Sequence, residues 1–96
     1  MATVAVVGSA PHGVSDETYA RADALKTQGN DALAHFKVAT AIELYSRAIE
    51  LVPTAIFYAN RAAAHVKSES YGLAIDDASA AIALDEGYVK GASLWG

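Results

Sequence analysis

Lys26 and Asn30 stand four residues apart, and Asn60 and Lys67 seven apart. On a helix each of these spacings returns both side chains to one face. An ammonium group brings positive charge to a carboxylate, and an asparagine amide adds directional N–H donors. Together they suit a free C-terminal carboxylate beside an acidic side chain, a recurring mode of peptide recognition. The other chemistry-bearing residues do not assemble. His12, His35 and His65 fall in three separate segments with no ligand spacing such as HxxxH. The chain has no cysteine, which excludes a disulfide framework and a thiolate zinc site. His65 is expected in the core, and His35 at a helix end against the C-terminal dipole. Asp76 and Asp77 are adjacent, point in different directions on a helix, and read as a solvated face. Gly8, Ala10 and Gly13 imitate GxGxxG after a strand-like start. That fingerprint needs a βαβ unit and an acidic residue about 20 positions on, and no second strand follows. No catalytic residue, metal or cofactor is expected.

Helical segments must position the lysines and asparagines. Residues 1–14 have no helical period and read as a flexible tail. Ser15 is placed as an N-cap, with Asp16 and Glu17 in a first turn where the dipole favours acids. That helix runs to about His35, with Leu25, Ala32 and Phe36 towards the packed side. A second helix, Val38 to Leu51, presents Ala41, Leu44, Tyr45 and Ala48 as one stripe until Pro53 stops it. Thr54 caps a third, Ala55 to Lys67, whose apolar side carries Tyr58, Ala62 and Val66. After a polar turn at Ser68 to Ser70, Ser70 caps a fourth helix from Tyr71 to Leu84. Asp85 to Gly87 break the chain, and Tyr88 to Trp95 begin a fifth helix.

The segments repeat. Ala41-Ile42, Ala48-Ile49 and Leu51 return thirty-three places on as Ala74-Ile75, Ala81-Ile82 and Leu84. A period near 34 residues carrying two helices predicts a hairpin solenoid. Short connections make neighbouring helices antiparallel. The first helices of successive repeats then line a concave groove, where Lys26, Asn30, Asn60 and Lys67 converge. Each hairpin buries its stripe only against another, so the fourth helix is expected to expose an apolar face, in a fragment, a marginal monomer, or an oligomer that covers it. Although 53% of residues are hydrophobic, many are alanines suited to close helix packing. A net charge of -4 argues against nucleic acid, which needs a clustered basic surface. No apolar run approaches the roughly 20 residues of a membrane span, and the N-terminus lacks the basic start of a secretory signal. A cytoplasmic or nuclear protein is the expectation.

The pattern resembles the tetratricopeptide repeat. Aligned from Ala22, the signature small, aromatic and proline positions fall on Gly29, Ala41, Tyr45, Ala48 and Pro53; a second unit matches through Tyr58, Ala62, Ala74 and Ala81. Ala78 stands where an aromatic is usual and Glu86 where proline is usual. The resemblance implies an all-α solenoid over residues 15–96: one repeat at about 22–54, another at 55–88, and a truncated third at 89–96. The segments ADALKTQGND, AIELYSRAIEL, YANRA, SYGLAIDDA and YVKG further resemble the N-terminal repeat domain of serine/threonine protein phosphatase 5 and other co-chaperone repeats. That resemblance implies a carboxylate clamp for the acidic EEVD-like tail of the Hsp90 or Hsp70 chaperones, formed here by Lys26, Asn30, Asn60 and Lys90, with Lys67 beside them. In a longer protein it also implies a separate phosphatase catalytic domain. The pattern has an arginine four residues after the last lysine, where this chain has Leu94. A lost charge-assisted hydrogen bond costs roughly 1.5–3 kcal/mol, which weakens binding on the order of 10- to 100-fold. The competing expectation is a structural assembly module in which the clamp is vestigial.

Overall fold

In a computed structural model, residues 13–84 are described. They form four helices: α1 (Asp16–Ala34), α2 (Val38–Leu51), α3 (Ala55–Lys67) and α4 (Tyr71–Leu84). The expected tail, the fifth helix, Lys90 and Leu94 lie outside the described residues, apart from Gly13 and Val14 of the tail. None of the four helices is long and apolar enough to cross a membrane.

The helix ends follow from local chemistry. Ser15 Oγ accepts the Thr18 N–H at 3.1 Å and Thr54 Oγ1 accepts that of Phe57 at 3.3 Å, so each cap satisfies an otherwise orphaned donor. Val52 is extended and precedes Pro53, as proline sterics require. Ser70 contributes its carbonyl to the Ala74 N–H at 3.0 Å, and its hydroxyl accepts from Ser68 Oγ at 3.1 Å. His35 Nδ1 lies 2.8 Å from the Asp31 carbonyl at the C-terminal end of α1, the helix-end role expected of it.

α1 and α3 both end in a Schellman motif. The N–H groups of Phe36 and Lys37 bond the carbonyls of Leu33 and Ala32, while those of Glu69 and Ser70 bond Val66 and His65. Phe36 (φ 63°) and Glu69 (φ 62°) therefore take the left-handed conformation. This overturns the packed role expected of Phe36, which is 84% exposed: the bend that closes α1 carries its side chain into solvent. Phe36→Gly should raise the unfolding free energy by about 1 kcal/mol, because the left-handed region penalises any Cβ. Urea unfolding measures this, and a destabilised variant would refute it.

α1 and α2 pair as one antiparallel hairpin, α3 and α4 as another, with α2 against α3. Ala22, Ala48, Ile49, Val52 and Phe57 form one buried cluster, flanked by Tyr19, Leu25 and Tyr58. Ala32, Ala41, Tyr45 and Ala64 form the second. Alanine at the crossings lets the backbones approach, so the aromatics Tyr45 and Phe57 fill what remains. On α3 the buried residues are Ala55, Phe57, Ala64 and His65, not the expected Tyr58–Ala62–Val66 stripe. Tyr58 and Ala62 are only half-buried and Val66 is exposed. The reason is that α3 packs on two sides, against hairpin one through Phe57 and Ala64 and against α4 through His65.

Asp77 corrects a third expectation. It is buried at 5% exposure, while its neighbour Asp76 is exposed. Arg61 Nε and Nη2 donate to its two oxygens at 2.7 and 2.8 Å, and Arg61 Nη1 donates to Ser46 Oγ at 2.9 Å. The guanidinium also lies 5.5 Å from the Tyr58 ring centre, within cation–π range. His65 Nε2 is 3.4 Å from Asp77 Oδ2. One guanidinium thus ties α2, α3 and α4, and its bond to Asp77 holds its pKa above the usual arginine range. The exposed apolar side chains expected on α4 do not form one face: Tyr71, Ile75 and Ile82 are exposed on one flank of its buried stripe and Leu73 and Leu84 on the other.

Candidate peptide-binding groove

α1 and α3 are the first helices of the two hairpins and run alongside each other where Tyr19 stacks on Phe57, ring centres 6.2 Å apart. That contact sets which faces meet. Lys26 stands seven residues past Tyr19, on the same side of α1, with Asn30 one turn further. Asn60 and Lys67 follow Phe57 by three and ten residues and share the adjoining flank of α3. Each pair thus shares one side of its own helix. Lys90 lies outside the described residues.

The side chains differ in readiness. Lys26 Nζ pairs with Asp23 Oδ1 at 3.0 Å. A surface pair of this kind is worth little, so a better-placed carboxylate can exchange for Asp23. Asn60 is half-buried and Lys67 exposed in the last turn of α3, where a cation complements the helix dipole. Asn30 is exposed, yet its Oδ1 accepts a hydrogen bond from the phenol of Tyr45. Tyr45 itself is only 1% exposed, and its burial raises the phenol above its ordinary pKa.

Tyr45 reaches Asn30 because its ring lies across Gly29. A Cβ built on Gly29 would stand 2.6 Å from Tyr45 Cε1. The sequence marked Gly29 and Tyr45 as packing positions but gave no sign of the bond to Asn30. Asp77, read from the sequence as a solvated face, shares the buried stripe of Ala74 and Ala81, where a charge requires a partner. Among the described residues no group of three or more His, Asp or Glu side chains is arranged to hold a metal.

No family model matches the chain. It is 48% identical over 81 residues to small glutamine-rich tetratricopeptide repeat-containing protein 2 of Saccharomyces cerevisiae, covering 83% of this chain and 23% of that protein. It is 49% identical over 78 residues to serine/threonine-protein phosphatase 5 of Mus musculus, covering 80% of this chain and 16% of that protein. The chain thus spans less than a quarter of either relative, and the resemblance is to a repeat segment rather than to a catalytic domain. The crystal structure of the Sgt2 TPR domain from Aspergillus fumigatus superimposes with a TM-score of 0.71 at 35% identity, covering 83% of this chain and 52% of that one. The chain therefore carries a helical-hairpin domain of the tetratricopeptide-repeat type, similar to those of Sgt2 and of phosphatase 5.

Proposed function

We propose that this domain is a peptide-binding module for the acidic C-terminal tail of a chaperone of the Hsp90 or Hsp70 class. The observation that carries the proposal is the placement of Lys26 and Asn30 on α1 and of Asn60 and Lys67 on α3, along the side where those helices meet. Two ammonium groups supply charge and two amides supply directed donors, the chemistry that an extended tail ending in a free carboxylate requires. Similarity to phosphatase 5 and to the Sgt2 type supports the partner class. In a longer protein the module would bring an attached domain, such as a phosphatase, to chaperone-bound clients in the cytoplasm or nucleus.

Calorimetric titration with the peptide MEEVD tests this. The free acid should bind, the amidated peptide should not, and Lys26→Ala should weaken binding about 10- to 100-fold, as loss of one charge-assisted bond requires. No heat from any peptide, with a sample folded by circular dichroism, would overturn it. The exposed apolar flanks of α4 favour a second function, assembly through them. Size that grows with concentration, in a sample silent to the peptide, would select it.

A further inference from the structure

We infer that Tyr45 is a positioning residue for peptide recognition: its O–H, donated to Asn30 Oδ1, holds the Asn30 amide with its NH2 group facing the groove. The inference rests on the peptide-tail function proposed above and adds a residue that does not touch the peptide.

An asparagine amide offers one oxygen acceptor and one NH2 donor group, and only the donor is useful to a carboxylate. On an exposed helix position the amide is free to turn, and half of its orientations would present oxygen lone pairs to the incoming anion. Here the oxygen is already engaged by the Tyr45 phenol. Turning the amide over would set its NH2 against the phenol and strand a buried O–H donor. Burial raises the pKa of that phenol, so it remains a donor throughout the pH range in which the tail carboxylates are charged.

The hydroxyl is itself fixed. Tyr45 packs in the cluster with Ala32, Ala41 and Ala64, and Gly29, the residue before Asn30, leaves the space that its ring occupies. The core of the first hairpin thus ends in a hydrogen bond that aims one donor of the binding surface. Such pre-organisation improves affinity by cutting the ordering cost of binding.

The test is a double-mutant cycle on the whole chain, titrated with free-acid MEEVD. Tyr45→Phe keeps the ring and removes only the O–H. It should weaken binding about fivefold to tenfold in the wild-type background, and less than about twofold when Asn30 is already alanine, since coupled residues are non-additive. Equal affinity of wild type and Tyr45→Phe would overturn the inference, as would the same loss in both backgrounds, which marks a purely structural role. Absence of binding by the wild type would instead bring down the peptide-tail function, and this inference with it. Should Tyr45→Phe fail to fold, the Asn30 side-chain amide is read by NMR in the wild type. Its two protons should shift on addition of peptide, and unmoved resonances would overturn the inference.

Discussion

Asp77→Ala will lower the unfolding free energy by about 3 kcal/mol, the low end of the range for breaking a buried ion pair by removing one partner. The Asp77 side chain is 7% exposed and that of Arg61 23%, so the stranded guanidinium recovers some hydration but not all. Two hydrogen bonds, at 2.7 and 2.8 Å, disappear together. His65 also loses the carboxylate beside its Nε2. Chemical denaturation followed by circular dichroism measures the loss. Asp76→Ala, one residue away and exposed, should change stability by less than about 0.5 kcal/mol. Equal effects at the two positions would refute the buried-pair account. Replacing both partners by apolar residues, as in Arg61→Met with Asp77→Leu, should cost far less than Asp77→Ala alone, since no charge is then left unpaired.

Gly29→Val should destabilise by about 3 kcal/mol, the upper end of overpacking costs. Propensity alone points the other way, because glycine inside a helix is about 1 kcal/mol worse than alanine. Space outranks it here. Tyr45 Cε1 and Cδ1 lie 2.6 and 2.8 Å from the ideal Cβ position, and the ring is enclosed in the core. Gly72 is the contrast: nothing lies within 4 Å of its ideal Cβ. Gly72→Ala on α4 should therefore gain up to about 1 kcal/mol. Thermal unfolding of both variants decides the matter, and a Gly29→Val protein as stable as wild type would show that the Tyr45 ring yields. In a Tyr45→Ala background the Gly29→Val penalty should largely vanish, because the space it needs has been emptied.

The helix boundaries were legible because their signals are local. Ser15, Thr54 and Pro53 act within a turn of themselves, and the Ala41–Tyr45–Ala48 stripe needs only helical spacing. What the sequence hid depends on how helices meet. Phe36 continues the apolar spacing of α1, but the chain has already turned left-handed there. Val66 looks internal by periodicity, yet α3 is held on its other sides by hairpin one and by α4. Asp77 reads as surface by residue type, while Arg61, sixteen positions earlier, makes its burial tolerable. The binding surface divides the same way. Helical spacing places Lys26 with Asn30 and Asn60 with Lys67, but the Tyr45–Asn30 bond crosses between helices and leaves no periodic trace.

The two left-handed bends at Phe36 and Glu69 also bear on how the chain finds its fold. Each reverses direction within a few residues, so α1 meets α2, and α3 meets α4, after the shortest of loop closures and little lost chain entropy. Most contacts then join near neighbours in sequence, the topology that favours rapid folding. The longest search is the docking of one finished hairpin on the other. Arg61 and Asp77 lie within the second hairpin and can pair as it closes, whereas Ser46 joins Arg61 only at the docking step, which makes that bond the late event in folding.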